Sequence, residues 1–206
     1  MDEIKRLVGA KYPPEKMSKD DFKFESGHPI LHITTGHMPI INDNRALWKR
    51  LRPLGQSMKK TNDRTIYGFE GEYHFLSNFY PLKGTGHSVE HIFQAAKAIE
   101  PEQAVWILRA PHPSEAKQRG RVVNIRPDWD SYRVDAMRKA LEYKFENPDL
   151  RARLLATGDK ELVEANPWHD YYWGVDKWTG KGLNMLGKLL MKLRDDIKQE
   201  EQENND

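Results

Sequence analysis

The chain has 206 residues, 38% hydrophobic and 31% charged, with no cysteine and a formal net charge of +2. That length suits one full domain with an extension, and the missing cysteine excludes disulfides, thiolate zinc sites and a cysteine nucleophile. No apolar run approaches membrane-spanning length and "MDEIKRLVGAKYPPEKMSKDD" has no apolar signal region, so a soluble, cytoplasmic protein without membrane contact is expected.

Residues 1–64 hold 13 Lys and Arg against 8 Asp and Glu, whereas residues 65–206 hold 20 against 23. Pro, Gly and Asn interrupt every apolar run of the first part, which reads as a partly structured extension. Short strands around Ile30–Thr35 and a helix from about Asp43 to Arg52 are expected there. The stretch "RALWKRLRPLGQSMKKTNDR" at 45–64 is either a phosphate-contacting patch for nucleic acid or a solvated helix face.

From Thr65 the pattern sharpens. "TIYGFEGEYHFLSNFYP" is aromatic and glycine-punctuated, which favours strand and loop. Between Asp130 and Phe145, the residues Val134, Met137, Leu141 and Phe145 share one helical stripe. In "NPDLRARLLATG", Asn147 is an N-cap, Pro148 the first helical residue and Gly158 the terminator. A last helix carries Leu186, Leu189, Leu190, Leu193 and Ile197 on one face, before a charged, disordered tail at 196–206. The fold class expected is α+β, predominantly helical, a compact single domain with a few short strands.

"GHSVEHIFQAAKA" deserves a helical wheel. At about 100° per residue, Glu90, Gln94 and Lys97 lie within an arc of roughly 60°, opposite Ile92, Ala95, Ala96 and Ile99. The polar arc is either a solvated face or the wall of a cleft. The letters His-x-x-Glu-His would make His87 and His91 zinc ligands only if His87 were helical. Ser88 is a good N-cap, which would leave His87 outside the helix and remove that geometry. The same cap puts Glu90 in the first turn, where backbone N–H groups favour a carboxylate suited to general-base, nucleophilic or oxocarbenium-stabilising chemistry.

Two further stretches carry chemistry. In "YYWGVDKWTGKGLNMLGKLL", Gly174, Gly180, Gly182 and Gly187 stand beside Trp173, Trp178 and Lys181, an anion-friendly loop that lacks the Walker A spacing. "QRGRVVNIRPDWD" mixes Arg119, Arg121 and Arg126 with Trp129. That pairing is either phosphate contact plus base stacking, or surface arginines plus a core tryptophan.

The blocks "FLSNFYP", "SVEHIFQAAKA", "GRVVNIRPDWD", "MRKALEYKFENPDLRARLLATGDKELVE" and "DYYWGVDKWTGKGLNMLGKLLMKLR", in this order, resemble the NADAR (YbiA-like) family across about 65–195. The resemblance implies a YbiA-like domain that cleaves the N-glycosidic bond at ribose C1. No cofactor and no metal are expected. Substrates in that family include phosphoribosylamino-pyrimidines of the riboflavin pathway and ADP-ribose on guanine in nucleic acid. Carried over by position, Glu90 is the first catalytic candidate, with Asp170 and Trp129 next. Asn78, Phe79, Gly120, Arg121, Trp173, Gly174, Lys181 and Asn184 fall where the family builds its pocket, and Gln94 and Arg126 join the substrate-binding set. Either Glu90 or Asp170 would activate water, or Lys97 would attack C1 and form an imine; hydrolysis is the route expected. A module that binds ADP-ribose or a nucleotide without chemistry is the reading from another class.

Overall fold

Six α-helices, one 3-10 helix and three two-stranded ladders stand out among the residues described, 61–204 of a computed structural model. The strands expected near 30–35, the helix near 43–52 and nearly all of the basic stretch lie outside the described residues. The ladders are short. β1 (Thr65–Tyr67) pairs in parallel with β4 (Glu161–Val163), Ile66 opposite Leu162. β2 (Pro81–Leu82) and β3 (His87–Ser88) form an antiparallel pair, and β5 (Ala165–Asn166) runs parallel to β6 (Val175–Asp176). The architecture is helix-rich α+β, as the sequence led one to expect.

Helix α1 (Val89–Ala95) is the centre of the domain. All seven of its residues are buried, and α2 (Pro101–Leu108), α3 (Pro113–Arg119) and α4 (Trp129–Phe145) pack around it. A helix wrapped on every side must bury its polar arc too, so Glu90 and Gln94 do not form a solvated face. α1 ends at Ala96, and Ile99, placed on the apolar arc by the wheel, lies beyond it and is 53% exposed.

The stripes on the longer helices behave as core. Met137, Leu141 and Phe145 of α4 are fully buried, with Val134 half-buried. α5 (Pro148–Leu155) starts with Asn147 Oδ1 accepting from the Leu150 N–H at 3.1 Å and gives way at Gly158, φ 64°. α6 (Met185–Glu203) lays Leu186, Leu190 and Ile197 on the core, while Leu189 and Leu193 are half-buried. It presses onto β4 so closely that a Cβ on Gly187 would sit 2.0 Å from Leu162 O.

Two differences from the sequence reading have physical causes. "GEYHFL" forms a 3-10 helix at Gly71–Leu76, a short element that needs little propensity to form. The charged end is not a disordered tail up to residue 203: α6 continues through Glu203. Lys, Gln and Glu are good helix formers, and Arg151 ties Glu200 and Glu201 at 3.1 and 3.3 Å. No helix among the described residues is long and apolar enough to cross a membrane.

Candidate active site

The N-terminus of α1 organises the site. Ser88 is the N-cap, with extended φ −139° and ψ 170°. Its backbone N–H donates to His91 Nδ1 at 3.1 Å, and its hydroxyl meets the same nitrogen at 2.9 Å. His91 Nε2 lies 3.0 Å from Ala110 O, which only accepts. These partners require a proton on Nε2 and none on Nδ1, so His91 is a neutral imidazole with both nitrogens engaged. It fills the place that Glu or Gln takes in a capping box. Burial, foremost, holds its pKa below the ordinary histidine value. His91 therefore has no nitrogen to spare for zinc, and no group of three or more His, Asp and Glu among the described residues is placed to hold a metal ion.

One turn of helix carries the chemistry. Gln94 Nε2 donates to Glu90 Oε1 at 2.7 Å. Gln94 is backed by Gly120, where a Cβ would fall 2.1 Å from its Oε1. Lys97 follows in the turn after α1, its Nζ 5.7 Å from the ring centres of both Phe93 and Trp129. Phe93 also meets Trp173 edge-on at 5.3 Å, so three aromatic rings wall the lysine and the carboxyl.

Glu90, Gln94 and Lys97 open on a cavity of about 450 Å³ that Asn78, Phe79, Asp170 and Trp173 also line. Trp129 stands behind this lining, against Phe93 and beneath Lys97. The other expected residues do different work. Arg126 lies outside the lining, ion-paired to Asp128 at 2.5 Å and stacked 3.9 Å over Tyr132. Arg121 is exposed, near enough to Lys97 to act on it electrostatically. Lys181 is exposed and away from the cavity, its carbonyl accepting from the Asp176 N–H. Gly174 and Asn184 do not line it either. Asn184 is 8% exposed and clasps the end of β4, accepting from Glu164 N–H at 3.0 Å and donating to Leu162 O at 2.9 Å.

Asp170 belongs to a built turn. Its Oδ1 accepts from the N–H groups of Tyr172 and Trp173 at 3.2 and 2.9 Å, while Asn166 holds its backbone from both sides. The carboxylate is thus committed to loop geometry as well as to the cavity.

Charge in the cavity is finely opposed. Burial pushes the Glu90 carboxyl above its usual value, outweighing the first-turn position; Lys117, the Gln94 amide and Lys97 pull it back, and Asp170 adds to the rise. Lys97 is lowered, first by burial, with Glu90 opposing and Lys117 and Arg121 assisting. Sequence reasoning missed Lys117, Glu164, Asn166 and Trp168, all of which line the same space. The one available signal was Glu164 itself, an acid set between apolar residues in "ELVEAN".

A helix-rich α+β domain with a buried carboxyl, a desolvated lysine and an aromatic wall around one cleft has the groups that glycosidic-bond cleavage needs. The family profile described as NADAR domain matches residues 66–198, and the chain belongs to the NADAR family. It is 41% identical over 140 residues to N-glycosidase YbiA of Shigella boydii serotype 4, covering 64% of this chain and 86% of that protein. It is 40% identical over 126 residues to the Zea mays riboflavin biosynthesis protein PYRR, chloroplastic, covering 55% and 20%. The NMR structure of Escherichia coli YbiA superposes with a TM-score of 0.60 at 39% identity, covering 71% of this chain and 92% of that one.

Proposed function

We propose that this N-glycosidase hydrolyses the bond between ribose C1 and a nitrogen, removing ADP-ribose from guanine in nucleic acid. The observation that carries the reading is Glu90, a buried carboxyl fixed by Gln94 on the wall of the cavity. Breaking the C1–N bond builds positive charge on the sugar, which a fixed carboxylate in a dry site stabilises. The same carboxylate takes a proton from the water that attacks C1. Phe79 and Trp168, 37% and 62% exposed on the cavity lining, offer flat faces to a base. The basic stretch at 45–64 supports a nucleic-acid substrate over a free one.

Two observations favour other readings. The name of the maize relative supports phosphoribosylamino-pyrimidines of riboflavin biosynthesis as substrate. The lowered Lys97 supports attack by its amine on C1 and an imine with the opened sugar. One experiment separates them. Purified protein is offered an ADP-ribosyl-guanine oligonucleotide and a phosphoribosylamino-uracil in parallel, and released sugar is identified by mass. ADP-ribose from the first is the expected result; release only from the second moves the substrate to riboflavin chemistry. Release from neither leaves a binding module without catalysis.

A further inference from the structure

Glu164 is a cavity residue that the reaction as written leaves unused, and its placement is heavily engineered by the fold. It stands between β4 and β5. Its N–H donates to Asn184 Oδ1 at 3.0 Å and its carbonyl accepts from the Val175 N–H at 2.8 Å. Gly174 approaches so closely that a Cβ there would lie 2.2 Å from Glu164 O and 3.0 Å from Glu164 Cγ. Gly174 and Asn184 therefore both help to fix the backbone of this glutamate. The side chain lines the cavity together with Glu90 and Asp170, and its Oε2 is buried with no hydrogen-bond partner among the described residues. Near it lies Lys144, 1% exposed, its Nζ donating to Ser77 O at 2.8 Å. An acid oxygen sealed away from donors is costly as an anion and comfortable as a neutral acid.

We infer that Glu164 is a second reacting carboxyl of this cavity, the acid that gives its proton to the nitrogen leaving ribose C1. The inference rests on the N-glycosidase reading of Glu90. As the C1–N bond breaks, its electron pair goes to nitrogen, which takes the Glu164 proton. Water oxygen bonds to C1, and the water proton passes to Glu90. The products are a sugar with a C1 hydroxyl and a free N–H group; Glu164 is left as carboxylate and Glu90 as acid. Proton exchange with solvent resets both.

The surroundings of the two carboxyls suit this division. Burial first, then Asp170 and Glu70, push Glu164 up to about 7 against the pull of Lys144 and Lys117. Lys144 is itself brought down to about 7 by burial. Burial raises Glu90 as well, but its Oε1 accepts a hydrogen bond from Gln94, a partner that Glu164 Oε2 lacks, and Lys117 and Lys97 pull it towards the anion. Pairs of carboxyls in unlike settings divide acid and base roles in this way.

The test is kcat against pH for wild type, Glu164→Gln, Glu164→Asp and the double variant Glu164→Gln/Lys144→Met, which leaves no unpaired buried lysine if the single change fails to fold. Wild-type kcat should fall on the alkaline side of neutrality, as the acid ionises. Glu164→Gln should lower kcat by about 10²–10⁴-fold with little change in KM and lose that limb, and Glu164→Asp should recover it. Wild-type release combined with a Gln variant, single or double, that keeps the alkaline limb or stays within about tenfold in kcat overturns this inference alone. No release by wild type overturns the N-glycosidase reading, and this inference with it.

Discussion

Gly120 and Gln94 touch so closely that a Cβ on the glycine would sit 2.1 Å from Gln94 Oε1. Since Gln94 Nε2 donates to Glu90 Oε1 at 2.7 Å, the empty space at Gly120 sets where the carboxyl stands. Gly120→Ala should push the amide aside and lower kcat by about tenfold or more, equivalent to about 1.4 kcal/mol of barrier. Steady-state sugar release measures it, and a thermal melt separates misplacement from unfolding.

His91 predicts a pH dependence of stability. Its folded pKa lies below the ordinary value because it is buried as the neutral imidazole that caps α1. The unfolded chain binds the extra proton more readily, so this contribution is whole above about pH 6.5 and is lost as pH falls below it. Tm should therefore drop from pH 7 to pH 5. His91→Gln keeps a capping acceptor that does not titrate, so its Tm should fall less steeply over the same range. The slope will not vanish, because burial also lowers His87.

Much of this was written in local signals. Ser88, Asn147, Pro148 and Gly158 mark helix ends because capping chemistry acts over three or four residues. The wheel brought Glu90 and Gln94 to one face for the same reason. Glu164 left only a weak local mark because it joins Glu90 on the cavity lining through tertiary folding, and Gly174 and Asn184 looked like pocket residues when they pack against its backbone. The charged C-terminal helix was read as a tail because its partner, Arg151, lies almost fifty residues earlier.

Asn184 separates hydrogen bonding from backbone strain. It holds φ 52° and ψ 42° while its side chain bridges Glu164 and Leu162. Asn184→Gly should lose the two bonds and cost about 1–3 kcal/mol. Asn184→Ala should cost about 1 kcal/mol more, because alanine dislikes the left-handed backbone. Denaturant melts of the two variants against wild type give the ordering; equal costs would mean the backbone had relaxed.

Arg151→Ala should loosen the end of α6 without unfolding the domain. Its pairs with Glu200 and Glu201 are partly exposed, so global stability should change by under about 1 kcal/mol. Hydrogen exchange at residues 198–203 should nevertheless quicken, since those amides depend on the pinned last turn.

The imine route has its own signature. If Lys97 attacked C1, borohydride would trap a sugar adduct that disappears in Lys97→Ala. The hydrolytic account expects no trapped mass on intact protein during turnover, and mass spectrometry of the quenched reaction decides.

Glu90 remains the centre of the account, and the measurement that bears on it most directly is sugar release by Glu90→Gln. The substitution is nearly isosteric and leaves Gln94 an oxygen to donate to, so the fold should persist. The account predicts a loss of about 10²-fold or more in kcat with an unchanged melt. A Glu90→Gln protein that releases sugar at the wild-type rate would contradict it.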